Sequence, residues 1–403
     1  MTTRPVLRIA AAIILLWAAS RGILLAAGLW GATHLHSGRA VQSGNLQRDM
    51  EGPVALEIWA RWDSEWYLLI AEEGYHVEER LAGRRVAYFP ADSTGFFPLY
   101  PILIRGFGAF LSFLPRPAAL LLSAVLVSNA ALLGALILLG ERVRRTGVRS
   151  RQGAAPGEAV AVFSCAALLC FPPSLFLSAV YAESLLLLLT LLCFKWLREE
   201  RWWSASVAGA LASATKPAGL LLIVPALIAV IGAGRRSAAR GPSKAASRWA
   251  SLAIYPAGTA LFSLYCARAF GDPLVWLYRQ DRWRGAASGP WRAFLRWAAQ
   301  PQIHGAHGST VELIFAVIAL VLLVKVLRER PVAESLFAAF VVLLPLCSTL
   351  WSFGRLSLQA FPLFVALGAW AARHPRVSLV YFIPAIAGSA VLMAYFSAWW
   401  WAG

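Results

Sequence analysis

Charge is scarce in this sequence. Only 14% of its 403 residues are Asp, Glu, Lys or Arg, whereas soluble domains carry about a quarter. That shortage excludes a soluble domain with a solvated surface. The polar residues cluster between apolar blocks long enough to cross a bilayer, instead of alternating with apolar stripes as they would around a large soluble core. Cysteine is also sparse. Cys165, Cys170, Cys193, Cys266 and Cys347 all sit inside apolar blocks, and none falls in a CxxC or CxxH pattern, so neither a disulfide framework nor a zinc site is expected. There is no internal repeat and no low-complexity tract. Lysine is nearly missing, with 4 residues against 33 arginines, a bias associated with GC-rich bacterial genomes. The net charge of +17 does not call for a nucleic-acid partner, because the positive-inside rule already accounts for basic loops.

What is present is a series of apolar segments, near 6–32, 117–140, 157–173, 176–194, 203–216, 218–233, 249–270, 309–327, 331–351, 358–372 and 377–400. They predict an all-α polytopic membrane protein, a bundle of about eleven transmembrane helices in a single domain over 1–403. The first segment begins with Arg4 and Arg8 like a signal peptide but continues past Arg21, and reads as an uncleaved anchor helix. With the amino terminus in the cytoplasm, the basic loops at 141–151, 195–201, 235–248, 325–330 and 373–376 all fall inside, provided that 96–114 is not counted as a span. The segment 96–114 is therefore expected to lie at the outer interface, with Tyr100 and Arg105 facing protein. Segment 203–216 is short for a span and, with 218–233, is expected to form a re-entrant hairpin around Lys216-Pro217-Ala218-Gly219.

Two long outer loops remain. The loop 33–95 is acid-rich, and the loop 271–309 is basic and aromatic; loops of such length usually carry function. In 61–75 and just before it, the apolar residues Ile58, Trp62, Trp66, Leu69 and Ile70 recur at helical spacing, which predicts a helix lying flat at the outer surface. Asp63 then stands beside an anchoring tryptophan at the low-dielectric boundary, as either a general base or a solvated acid. Lys216, Arg279, Arg282, Arg284 and Arg355 fall at outer helix ends, where they could hold a phosphate or merely meet lipid headgroups. Glu183 opens a span, and Arg21 lies within one, where a carboxylate partner is expected. His304 and His307 have HxxH spacing on a glycine-bearing loop without an acidic partner, so no metal is expected there.

Arg61-Trp62-Asp63, with Ile70-Ala71 and Gly74-Tyr75, followed by Phe96-Phe97-Pro98-Leu99-Tyr100-Pro101, resembles the first outer loop of the GPI mannosyltransferase 2 (PIG-V type) family. Tyr181-Ala182-Glu183-Ser184, Lys216-Pro217-Ala218-Gly219, Gln280 with Trp283, and Arg355 before Gln359 and Pro362 continue the resemblance in the family's order from about 55 to 365. The chain looks like a bacterial member. The resemblance implies a GT-C fold and a membrane mannosyltransferase that takes mannose from a polyprenyl-phosphate donor and inverts the anomeric carbon without metal or other cofactor. Asp63 matches the family's loop aspartate. The donor phosphate would fall to Lys216, Arg279, Arg282, Arg284 and Arg355, and the substrates to Arg61, Trp62, Glu65, Tyr67, Tyr75, Tyr100, Glu183 and Gln280. The partners implied are the lipid-linked donor, a glycan, glycolipid or protein acceptor, and membrane lipids, with the site on the extracytoplasmic face of a bacterial plasma membrane. The sequence departs from the pattern where 81–95 adds Arg84, Arg85 and Phe89-Pro90, and where Lys216 replaces an expected arginine. A bacterium makes no GPI anchor, so the eukaryotic acceptor does not carry over.

The rival class is a transporter or lipid flippase, which often shows inverted repeats; none is detectable. The topology has a direct check in cysteine labelling. A single cysteine placed at position 240 should react only after the membrane is permeabilised, and labelling from outside would overturn the arrangement.

Overall fold

The computed structural model describes residues 3–39, 52–75, 90–146, 149–150, 153–154, 157–236, 242–285, 287–304 and 308–402. Every apolar segment read from the sequence contains a helix. In chain order these and the intervening helices are α1 (Thr3–His34), α2 (Val54–Glu57), α3 (Ser64–Glu73), α4 (Leu99–Ala109), α5 (Arg116–Thr146), α6 (Gly157–Cys170), α7 (Glu183–Arg198), α8 (Trp202–Thr215) and α9 (Ile223–Arg236). They continue as α10 (Pro242–Ser251), α11 (Ala257–Phe270), α12 (Val275–Arg284), α13 (Arg292–Ala299), α14 (Thr310–Glu329), α15 (Val332–Leu346), α16 (Phe353–Ser357), α17 (Phe361–Arg373) and α18 (Leu379–Ser397). The only strands among the described residues are two dipeptides, Arg149–Ser150 and Gly153–Ala154, paired antiparallel in a loop.

Among the described residues, six helical stretches are long and apolar enough to cross a membrane: Leu7–His34, Arg116–Arg145, Pro217–Arg235, Ala245–Phe270, Thr310–Glu329 and Leu379–Ser397. The helices Gly157–Cys170, Val332–Leu346 and Phe361–Arg373 are apolar but shorter. The fold class expected from the sequence therefore stands, while a count of eleven spans does not follow from helix length. Inside the bundle α6 packs along α17 and α5 along α7. Of the shorter helices, α17 is buried along nearly its whole length, while α15 exposes an apolar face of Val332, Leu336, Phe340 and Leu344.

Three sequence expectations are corrected. The helix α3 does not lie flat at a surface: Ser64 through Ala71 are all buried, not one face only. Its apolar spacing reads as one-sided, but Phe96 stacks on Trp66 at 5.8 Å and meets Tyr67 edge-on at 5.1 Å, while Tyr100 and Tyr181 close on Tyr67 from other sides. Segment 96–114 does form a short helix, α4, whose 11 residues reach about 16 Å, well short of the ~30 Å hydrocarbon core. Tyr100 is fully buried and donates to the Ala124 carbonyl at 3.1 Å, as expected of a residue facing protein, but Arg105 is exposed. Five residues on in a helix is more than a full turn, which carries Arg105 off the packed side.

Arg21 has no carboxylate partner among the described residues. Its guanidinium donates to the Ser174 carbonyl at 3.0 Å, the Ser178 hydroxyl at 3.1 Å and the Leu169 carbonyl at 3.3 Å. Leu169 lies in the last turn of α6, whose carbonyls have no helical donor, and Ser174 in the 3-10 turn that follows, Pro172–Leu177. Arg21 thus ties α1 to the end of α6 by backbone acceptors. At the opposite end of the bundle, the buried carboxylate of Glu334 on α15 pairs with Arg142 of α5 and with Arg330 at 2.7 Å.

Between α8 and α9 the chain breaks at Lys216, whose backbone is extended, and restarts in a 3-10 turn at Pro217. A β-carbon on Gly219 would lie 2.1 Å from the Ala212 carbonyl carbon, so the turn closes on α8 only because that residue is glycine. Gly219→Ala should force the two segments apart at a cost of about 1–3 kcal/mol or more, because backbone cannot repack as a side chain does. A lowered melting temperature in detergent would show it, and an unchanged one would refute the close approach.

Candidate active site

The first outer loop turns sharply ahead of α3. Trp62 adopts a left-handed conformation with φ of 60°, which costs a bulky residue about 1–2 kcal/mol. The flanking bonds hold it there. The Val180 N–H donates to the Trp59 carbonyl at 2.9 Å, and the Tyr181 hydroxyl donates to the Arg61 carbonyl at 3.2 Å. The turn is thereby fastened to the segment that leads into α7. Ser352 (φ 59°) and Trp399 (φ 67°) are left-handed as well, and Glu200 is the other non-glycine residue of this kind among those described. Ser352 immediately precedes α16, and Trp399 packs beneath Arg61. Three strained residues border one site, a pattern common where function overrides local preference.

Asp63, the first residue after the Trp62 turn, accepts from Arg355 Nη1 on Oδ2 at 2.5 Å. Arg355 Nε stands 3.6 Å from Glu183 Oε1, and the same carboxylate oxygen pairs with Lys216 Nζ. Two acids and two cations from four separate elements thus form one chain: the Trp62 turn, α7, the break after α8, and α16. Glu183 is 1% exposed, Lys216 18% and Asp63 29%, so Glu183 is the sealed member of the chain and Asp63 the most open. Glu183 also sits at the amino end of α7, where the helix dipole favours an anion. The Gln359 side-chain amide donates to the Glu183 carbonyl at 3.0 Å.

Aromatic rings wall the guanidinium. Arg355 lies over Tyr181 at 5.2 Å, Phe176 at 5.5 Å and Trp401 at 5.6 Å. Burial alone would lower its pKa, but Asp63 and then Glu183 raise it above the ordinary arginine value, so it remains a cation throughout. Burial, followed by the charges of Glu183 and Asp63, lifts the Tyr67 phenol well above its usual range. Tyr181 is lifted in the same way by burial and then Asp63. Both phenols stay protonated near neutrality and can donate but not abstract a proton. Asp63 is the half-exposed carboxylate of the chain, and Oδ1 has no hydrogen-bond partner among the described residues.

The structure thus brings together Asp63, Glu183, Lys216 and Arg355, with Trp62 and Tyr67 beside them. Other residues singled out from the sequence sit elsewhere or are occupied. Arg61 is buried, with its pKa lowered to about 10, chiefly by burial, and it donates to the Ser397 carbonyl at 2.9 Å and the Glu57 carbonyl at 2.5 Å. Glu65 is fully buried on α3. Tyr75 donates to the Phe96 carbonyl at 2.7 Å and Gln280 to the Gly95 carbonyl at 3.0 Å, so both hold the 95–100 segment. Tyr100 shares a 2.6 Å bond with Ser128. Arg279 is half-buried on α12, and the side chain of Arg282 lies outside the described residues. Arg284 donates to the Ser348 hydroxyl at 3.3 Å and to the carbonyls of Trp351 and Thr349. The additions Arg84, Arg85 and Phe89, and His307, also lie outside the described residues. Sequence reasoning missed Trp401, which meets Trp62 edge-on at 5.2 Å, and Phe176. Neither carries a local signal, since both are tryptophan or phenylalanine in already aromatic, apolar surroundings.

Fold and site together define a polytopic helical membrane protein with a buried ion-pair chain that surfaces at one aspartate. A family model described as Mannosyltransferase (PIG-V) matches residues 40–231. GPI alpha-1,6-mannosyltransferase 2 of Mus musculus is 32% identical over 188 residues, covering 45% of this chain and 33% of that protein. The protein of the same name from Rattus norvegicus is 32% identical over 189 residues, covering 46% and 34%. The chain's match thus spans a third of the length of these relatives. The matched segment contains Asp63, Glu183 and Lys216 but ends before Arg355, which the fold alone joins to them.

Removing Arg355 leaves two carboxylates without their shared cation. Arg355→Met should cost about 3–5 kcal/mol of stability, as for other buried pairs broken on one side. Arg355→Lys keeps the charge but loses the planar donors and the ring stacking, and should cost less. Thermal denaturation of the purified variants in detergent measures both, and equal losses would show that charge is not what Arg355 supplies.

Proposed function

We propose that this chain is a membrane mannosyltransferase that moves mannose from a polyprenyl-phosphate donor to a hydroxyl acceptor, inverting the anomeric carbon, with Asp63 as the general base. The observation that carries the reading is the carboxylate of Asp63, half-exposed at the end of a buried ion-pair chain and inside the segment matched to a mannosyltransferase family. Asp63 takes the proton of the acceptor hydroxyl as the oxygen attacks the anomeric carbon. The bond from that carbon to the phosphate oxygen breaks, and polyprenyl phosphate leaves. A β-linked donor gives an α-mannoside.

The leaving phosphate gains charge as the bond breaks, so cations aimed at it stabilise the transition state. Arg355 is placed to do this within reach of Asp63, with Lys216 behind it. Arg279 of α12 would meet the donor from the other outer loop, while Arg284 holds the turn before α16. Arg355 is shared between Asp63 and the incoming phosphate, so donor binding draws the guanidinium away and releases the carboxylate to act as a base. Trp62 borders the substrates, with Arg61, Glu65, Tyr67, Tyr75, Tyr100, Glu183 and Gln280 shaping the site from behind. The helix ends that meet here are those the basic loops assign to the outer face, which supports an extracytoplasmic site in a bacterial plasma membrane.

Asp63→Asn is nearly isosteric but cannot accept a proton at neutral pH. Turnover of polyprenyl-phosphate-mannose with a panel of membrane acceptors, followed by mass spectrometry, should fall about 10²–10⁴-fold with donor binding retained. Glu65→Gln should lose less, because Glu65 projects away from Asp63 on α3. Wild-type turnover by Asp63→Asn together with loss by Glu65→Gln would reassign the base; full activity of both would overturn catalysis at this loop.

A further inference from the structure

Glu312, in the first turn of α14, is an acid that the reaction scheme leaves unused. It is 2% exposed, and a buried carboxylate carries a heavy desolvation cost unless something in the fold requires it. Its sequence setting, Ser309-Thr310-Val311-Glu312, is the capping-box pattern in which serine caps the helix and glutamate bonds back to the serine N–H. Half of that arrangement forms: the Ser309 hydroxyl accepts from the Glu312 N–H at 3.2 Å. The return bond does not form among the described residues. The Glu312 carboxylate turns outward instead and accepts from the Gly354 N–H on Oε2 at 2.6 Å.

Gly354 is the second residue of α16, the five-residue helix that carries Arg355. The residue before that helix, Ser352, is left-handed and provides no side-chain cap; the Phe353 N–H donates to the Leu350 carbonyl at 2.9 Å, whereas the Gly354 N–H takes its acceptor from across the bundle. We infer that Glu312 is the cap of α16 supplied across the bundle, and that it is a positioning residue for Arg355. The approach needs glycine at 354, since a β-carbon there would lie 2.6 Å from the Phe315 ring and 2.7 Å from Pro173. Arg284 grips the other side of the same turn through the carbonyls of Thr349 and Trp351, and the Ser288 N–H donates to the Cys347 carbonyl at 2.7 Å. The turn between α15 and α16 is thus held from α14 and from the second outer loop, and one bond from Glu312 lies next to the residue that must reach both Asp63 and Glu183. The assignment of a catalytic consequence rests on the proposed mannosyl transfer; the cap itself does not.

Two variants separate the roles. Glu312→Gln keeps an acceptor oxygen, and Glu312→Leu removes it at similar volume. Hydrogen–deuterium exchange of the full-length protein in detergent should show the peptide spanning 352–358 losing protection at least tenfold in Glu312→Leu and little in Glu312→Gln. Turnover of polyprenyl-phosphate-mannose should fall about 10²-fold in Glu312→Leu, the penalty of a catalytic group displaced by an ångström, with the loss in kcat rather than KM and recovery in Glu312→Gln. Unchanged protection in Glu312→Leu overturns the inference whatever the activity. Lost protection with full turnover removes the positioning role and leaves only a cap. If the wild type transfers no mannose while the exchange result holds, it is the proposed reaction that fails, not the cap.

Discussion

The Arg355 guanidinium is the contact on which the rest of the site depends. A buried cation survives in an apolar bundle only when acceptors compensate it, as backbone carbonyls do for Arg21; for Arg355 they are acids, from the Trp62 turn and from the start of α7. Each brings further constraints. Glu183 in turn requires Lys216, which stands at the break between α8 and the turn that Gly219 allows. Asp63 requires the left-handed Trp62 and the two bonds that tie its loop to Val180 and Tyr181. One ion-pair chain therefore fixes the relation of four segments that are distant in sequence.

The strain around this chain has a physical sense. Trp62, Ser352 and Trp399 each adopt a conformation that glycine would adopt more cheaply. Their rings or backbone positions are needed where they are. Trp62 meets Trp401 at the open end of the site, Ser352 turns the chain into α16, and Trp399 supports Arg61 from below. The surrounding packing offsets the cost, and the consequence is a rigid wall on one side of Asp63. The opposite end of the bundle is held by Glu334 with Arg142 and Arg330 in a compensated ion cluster.

The sequence order of the site residues shows why arginine and lysine are not equivalent here. Arg355 sits among three aromatic rings and donates to one carboxylate while it faces another, which suits a planar cation. Lys216 meets a single carboxylate oxygen of Glu183, where a point charge is sufficient. The departure from arginine at 216 that the sequence displays is thus compatible with the place it occupies.

Composition and apolar spacing by themselves determined a polytopic all-α membrane protein and its apolar segments, because those are set by transfer of local stretches into lipid. The Trp62-Asp63 loop, Glu183, Lys216 and Arg355 were also legible, as charged residues at helix ends where apolar sequence would be cheaper. Local pattern misjudged what depends on neighbours from elsewhere in the chain. The periodicity of α3 reads as one-sided, yet Phe96, Tyr100 and Tyr181 bury it all round. Arg21 was expected to meet an acid and instead binds carbonyls at the end of α6 and in the turn that follows it. Trp401 and Glu312 gave no signal, since a tryptophan among tryptophans and a glutamate in a capping box are unremarkable until the fold shows what they touch. Only tertiary structure decided that Asp63 and Arg355, nearly three hundred residues apart, form one pair, because a buried charge takes its partner from whatever the packing brings near and not from its own stretch of chain.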